Sequence, residues 1–235
     1  MLKKVFTYSG HRRNRLEQPL ARVLPMKKIV TIIFVLITFF LPVSAYAQTT
    51  PAPRQVVVVT AANYTTHLAT LTGYTVTGNK WVKTYPTVAA VVGYHGVTWN
   101  KREGDGKTPL GTYPLLFAFG YHPNTFTKMP YRQSTSEDFW VEDPTSPQYN
   151  KWVRGKPNAK SYEVMRRRDN LYEYGVVIGY NTKRIPYKGS AIFIHEWRYS
   201  TGATDGCVAI SRTNIINLLK WLNPKENPEV EIEVK

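Results

Sequence analysis

The sequence predicts a mainly β domain, a sandwich or barrel with one or a few short helices, on three observations. Short runs of β-branched and alternating apolar residues recur from Gln55 to Val234. Gly, Pro and Asn punctuate those runs at the intervals expected of turns. A single stretch, late in the chain, has the apolar spacing, cap and stop of a helix. The chain has 235 residues, enough for one domain with an appendage, and its 43% hydrophobic and 13% aromatic content supplies a packed core.

The elements follow in order. Gln55 to Thr60 is a valine run. Leu71 to Tyr85 holds two alternating segments around Gly78-Asn79, a dipeptide suited to positive φ, and so reads as a hairpin. Val88 to Tyr94, Tyr113 to Phe119, Phe139 to Glu142, Tyr174 to Tyr180 and Ala191 to His195 are further short strands. Residues 122–160 are rich in Pro, Tyr, Ser and Asn, and are expected to form a long loop or lid over a site. Ser211 then caps a helix in which Ile215, Leu218, Leu219 and Leu222 share a face, and Pro224 ends it. Val230, Ile232 and Val234 alternate with Glu231 and Glu233 in a closing strand with one apolar face.

The N-terminus reads as a targeting segment. Met26-Lys27-Lys28 leads into an apolar run from Ile29 to Leu41, then Pro42, then Ala45-Tyr46-Ala47. A basic start, a short apolar stretch and a small-x-small site describe a secretory signal peptide, cleaved after Ala47, because a bilayer span needs about 20 apolar residues and this run breaks earlier. The expected organisation is an upstream extension over 1–25 from a misread start, a signal peptide over 26–47, a linker over 48–54 and a catalytic domain over 55–235. The chain carries a formal charge of +15. Removing residues 1–47 takes away eight Lys/Arg and one acid, leaving 23 against 15, a net +8. In an exported chain, working in a periplasm or cell wall, that surplus points to anionic wall polymers rather than nucleic acid. The run Arg166-Arg167-Arg168 reads as a solvated face.

Cys207 is the only cysteine, so there is no internal disulfide, and a leftover thiol in an exported chain is a candidate reactive group. It sits in TDGCVAIS, residues 204–211, where Gly206 permits a sharp turn and a helix starts just beyond. Backbone N–H groups of such a loop can hold developing negative charge. Twelve positions earlier His195 ends an apolar run, and a base beside the thiol is what a nucleophilic cysteine requires. His67, His95, His122 and His195 are scattered and lack a second thiol, so no metal and no cofactor is expected. The glycines of KREGDGKTPLGTYP, residues 101–114, do not have phosphate-loop spacing, which excludes nucleotide binding there.

The pairing of KREGDGKTPLGTYP with FIHEWRYSTGATDGCVAIS, in that order, resembles the L,D-transpeptidase catalytic domain family of bacterial cell-wall enzymes. WVEDPTSPQYNKWV, LYEYGVVIGYNT and LLKWLNPKENP are similar to one branch of it. The resemblance implies a β-sandwich that acts on peptidoglycan stem peptides, a protein working as a monomer, with Cys207 as nucleophile and His195 as base. It implies further that the main-chain carbonyl of Glu196 orients the imidazole, and that backbone N–H groups of Asp205, Gly206 and Cys207 form the oxyanion site.

Three positions depart from the commonest family pattern: Glu196 for Gly or Ser, Asp205 for His, and Ala209 for Arg. The last removes a cation expected to bind a substrate carboxylate, and Arg198 and Arg212 are the nearby substitutes in sequence. The resulting reading is an acyl transferase that forms 3-3 cross-links or exchanges a terminal D-residue. Two alternatives stay open: an L,D-carboxypeptidase or amidase using the same residues with water, and a degenerate wall-binding protein.

Overall fold

The computed structural model describes residues 52–123 and 126–235; the signal-peptide and start-site readings lie outside the described residues. In chain order the elements are β1 (Gln55–Ala61), β2 (Leu68–Thr77), β3 (Lys80–Val91), the short β4 (Val97–Thr98) and β5 (Thr108–Pro109), β6 (Gly111–Gly120), β7 (Tyr131–Gln133), β8 (Asp138–Val141), β9 (Trp152–Arg154), β10 (Tyr162–Val164), β11 (Tyr174–Ile178), β12 (Phe193–Glu196), β13 (Val208–Ile210), α1 (Arg212–Trp221) and β14 (Glu229–Val234). A 3₁₀ turn, Pro224–Glu226, separates α1 from β14. The described chain is mostly β with one α-helix, as an L,D-transpeptidase-like sandwich requires.

Nine strands pair in the order β11-β12-β13-β3-β2-β1-β14-β6-β7, and β6 also pairs with β11, so the sheet curls until its first strand meets its next-to-last. The strand signals in the sequence set this up. In β1 the residues Val57, Val59 and Ala61 point inward while their neighbours are part-exposed. The closing strand lies parallel to β1, with Val57 opposite Val230 and Val59 opposite Ile232, so the two apolar faces coincide. The β2–β3 hairpin turns at Gly78 with φ of 62°, a left-handed conformation open to glycine at little cost.

Helix α1 begins where Ser211 Oγ accepts from the Asn214 N–H at 3.2 Å. Its buried Ile215, Leu218 and Leu219, with Leu222 at its C-cap, close one core together with Ile194, Val208 and Ile210. Full burial of each such side chain stabilises by about 2 kcal/mol relative to exposure. Tyr85 ties the helix down by donating to the Asn214 carbonyl at 2.8 Å.

The 122–160 segment differs from the loop expected of it. It contains β7 and β9 as well as β8, the strand read from Phe139 to Glu142, and β8 is the middle strand of a separate three-stranded sheet in the order β10-β8-β9. Polar anchors hold this flap together. Buried Asp138 accepts from the Thr135 N–H, the Thr135 hydroxyl and the Trp152 indole, and the Trp140 indole donates to Asn150. An aromatic cluster joins the flap to the large sheet: Phe193 meets Phe119, Trp140 and Tyr172 edge to face at centroid distances of 5.3, 5.0 and 5.7 Å. Cys207 belongs to this second core.

Candidate active site

Strands β12 and β13 run side by side and parallel, with Ile194 opposite Val208, His195 opposite Ala209 and Glu196 opposite Ile210. Side chains alternate between faces along a strand. Ile194, Val208 and Ile210 therefore enter the core under α1, while Phe193, His195, Cys207 and Ala209 share the opposite face, under the flap. His195 and Cys207 are diagonal neighbours on that face, Cys207 standing just before the first residue of β13. Ala209, directly beside His195, adds no bulk between them.

The sulfur of Cys207, a residue only 7% exposed, donates to the Ala191 carbonyl at 3.2 Å and accepts from the Phe193 N–H at 3.3 Å. Burial pushes its pKa up to about 12, against a small lowering by the Phe193 N–H. Burial acts the other way on the imidazole of His195 and pushes its pKa down to about 4. At neutral pH the resting pair is a thiol and a neutral imidazole. The ring Nδ1 lies 2.7 Å from the Glu196 carbonyl, and because a carbonyl only accepts, Nδ1 carries the proton and Nε2 is the basic nitrogen. Tyr172 packs edge-on against the ring at 5.1 Å.

The cysteine loop is braced by the 101–114 segment. Thr204 Oγ1 donates to the Cys207 carbonyl at 2.6 Å and accepts from the Gly206 N–H at 3.1 Å. Thr108 Oγ1 donates to the same carbonyl at 3.2 Å and accepts from the Gly93 N–H at 2.9 Å. Gly206 has φ of 143°, and a Cβ there would come within 2.8 Å of the Lys107 carbonyl oxygen. The turn that presents Lys107 and Thr108 is itself held by Asp105, which accepts from the Arg102 and Lys107 N–H groups and from the buried ammonium of Lys101. The glycine-rich motif is thus a rigid support for the cysteine loop.

Cys207, His195, Glu196, Asp205, Gly206 and Arg198 all line one cavity of about 350 Å³. Arg212 is not among its lining residues and instead pairs with Glu173 at 2.5 Å and with Glu196 at 3.7 Å. Arg198 bonds to Asp169 at 3.2 Å. The sequence reading passed over Lys101, Glu142, Glu163, Arg167 and Tyr172, which also line the cavity. Arg167, expected on a solvated face, bonds to Glu163 at 3.0 Å and Asp169 at 2.8 Å and is two-thirds buried. Its i,i+4 spacing from Glu163 was the one sequence signal for it. Among the described residues no group of three or more His, Cys, Asp or Glu is placed to hold a metal ion, and no helix is long and apolar enough to cross a membrane.

No curated protein matches the chain. Two solved structures of the helical cell shape determining protein Pgp2 from Campylobacter jejuni are similar to it at 16% identity. One has a TM-score of 0.38 and is covered over 48% of its length by 77% of this chain; the other, a lysine-to-alanine mutant, has a TM-score of 0.42, with 49% and 80% covered. The chain spans about half the length of those proteins. The match that identifies it is to a family: residues 53–232, nearly all of the described fold and the whole cavity, match YkuD, the L,D-transpeptidase catalytic domain, and the chain belongs to that family.

Proposed function

We propose that the protein is an exported L,D-transpeptidase that transfers acyl groups between peptidoglycan stem peptides through Cys207. The observation that carries this is a buried thiol and a neutral imidazole on one face of adjacent strands, at the wall of a cavity, inside a YkuD domain. The Cys207 proton passes to Nε2 of His195 while the sulfur bonds to the carbonyl carbon between the third, L-centred residue and the fourth, D-residue. The Gly206 N–H is held by Thr204, so the backbone N–H groups of Asp205 and Cys207 are the donors to the resulting oxyanion. The C–N bond then breaks, His195 returns its proton to the leaving amine, and a thioester remains. An acceptor amine attacks the thioester, the C–S bond breaks, and a proton from the amine returns to sulfur through His195. Glu196 acts through its carbonyl, which keeps Nε2 free of hydrogen. With alanine at 209 and Arg212 absent from the cavity lining, a substrate carboxylate would have to draw Arg198 or Arg167 away from the acids that now hold them.

The test is to incubate residues 48–235 with a disaccharide tetrapeptide, with and without a D-amino acid, and to resolve the products by mass spectrometry beside Cys207→Ala. Cross-links between two third residues, or exchange of the terminal D-residue, are expected from the parent and absent from the variant. Tripeptide as sole product makes water the acceptor and the protein a carboxypeptidase. No turnover by a folded protein with a titratable thiol leaves wall binding as its function.

A further inference from the structure

The cavity carries the opposite charge to the chain. The full sequence has a formal charge of +15, yet Glu103, Glu142, Glu163 and Asp205 all line the space beside Cys207. The three cations among the lining residues are already engaged: Lys101 with Asp105 and the Arg102 carbonyl, Arg167 with Glu163 and Asp169, and Arg198 with Asp169. Glu103 accepts from Tyr149 and Ser190. Among the described residues no ion pair or hydrogen bond holds the carboxyl of Glu142 or of Asp205, and of these two Asp205 is exposed whereas Glu142 is partly buried.

The backbone of Glu142 is nevertheless fixed. Its N–H donates to the Ser161 carbonyl at 3.1 Å, and the Val141 carbonyl before it accepts from the Asn150 N–H. Asp143 after it caps Thr145 and Lys160. The flap therefore presents a half-buried, unpaired carboxyl in the cavity that holds the nucleophile. Burial, with repulsion from Glu163, Glu103 and Asp205, pushes its pKa up to about 8, and the effect of Lys101 is too small to offset them. A cation entering this space relieves that repulsion, which water cannot do.

We infer that Glu142 is the acceptor-specificity residue: it receives the ammonium of the incoming amine and so directs the Cys207 thioester toward aminolysis rather than hydrolysis. The inference rests on the acyl-transfer reading of the site. Glu142, protonated at pH 7 in the empty cavity, loses its proton to solvent as the ammonium arrives; the ammonium then gives it one proton, and the freed lone pair bonds to the thioester carbonyl carbon. The C–S bond breaks, and the second amine proton passes through His195 to the departing sulfur.

The experiment measures how the thioester of the parent, Glu142→Gln and Glu142→Asp partitions between transfer and hydrolysis, with two acceptors. D-Methionine carries an ammonium at pH 7, whereas hydroxylamine is neutral. Glu142→Gln is expected to lower the transfer-to-hydrolysis ratio about tenfold for D-methionine, the effect of roughly one unit of log K in ammonium binding. The same variant is expected to leave the hydroxylamine ratio and the rate of Cys207 acylation within about twofold, and Glu142→Asp to recover most of the D-methionine ratio. An unchanged ratio for D-methionine, or an equal fall with both acceptors, overturns the assignment while leaving acyl transfer intact. A parent that never acylates overturns both.

Discussion

Replacing Gly206 with alanine tests whether the shape of the cysteine loop, and not merely its residues, is required. The new Cβ would stand 2.8 Å from the Lys107 carbonyl oxygen, a backbone atom held in place by the Asp105 turn, on a residue whose φ is 143°. A non-glycine residue in such a conformation costs about 1 to 3 kcal/mol, and the overlap brings the loss to roughly 3 kcal/mol. Gly78 is the control: its φ is 62°, nothing lies within 4 Å of its Cβ position, and alanine there costs about 1 kcal/mol. For a domain of this size the expected fall in Tm is about 6 to 12 °C for Gly206→Ala and about 2 to 4 °C for Gly78→Ala, so both variants fold. Because relief at 206 must shift the Cys207 backbone, thioester formation should fall by about 100-fold in Gly206→Ala and be unaffected in Gly78→Ala. Thermal melts and mass-spectrometric detection of the acyl-enzyme measure the two effects. Equal Tm losses, or unimpaired acylation by Gly206→Ala, would refute the argument.

Three predictions concern protonation. With His195 held near 4, the base stays neutral well below the usual histidine range, so the acylation rate should hold through pH 5 to 6 and fall only as pH drops through about 4; a fall centred near 6.5 contradicts the burial of the ring. With the Cys207 thiol near 12, iodoacetamide at pH 7 should alkylate the folded protein at least about tenfold more slowly than an unfolded control, and fast labelling at pH 6 would indicate an ion pair instead. Glu196→Gln should leave turnover nearly unchanged, since the carbonyl does the work, yet alter stability. Burial raises the Glu196 pKa from 4.5 to about 7, so the parent loses stability as pH rises from about 4.5 and the loss is complete above about 7. The variant should therefore melt higher than the parent at pH 8 and level with it at pH 4, and identical melting curves at pH 8 would show that the carboxyl is not desolvated.

The parts of the fold that were legible in the sequence are those with a repeating signal. The β1 valines, the Gly78 hairpin, the Ser211 cap and the Val230-Ile232 alternation each impose a period or a turn that local chemistry enforces. Within the flap only β8 was legible, as the run from Phe139 to Glu142; β9 and β10 have three residues each, and the small sheet is held by Asp138, Trp152 and Asn150 rather than by periodicity. The proximity of Cys207 and His195 followed from a motif, while Glu142 and Arg167 enter the cavity through pairings across the fold that spacing along the chain does not encode. Arg212 shows the converse: near in sequence, it lies on the surface served by Glu173.

The bonding of the sulfur also bears on how long the protein lasts. Peroxides, disulfides and metal ions all react with the thiolate, and a thiol donating to Ala191, covered by Phe193 and Tyr172, seldom ionises unprompted. The chain has no second cysteine to form an intramolecular disulfide that would return an oxidised sulfur to service, so each such event would end a molecule's working life. The aromatic cover thus serves as chemical storage: the sulfur is kept inert until a substrate in the cavity draws its proton onto His195.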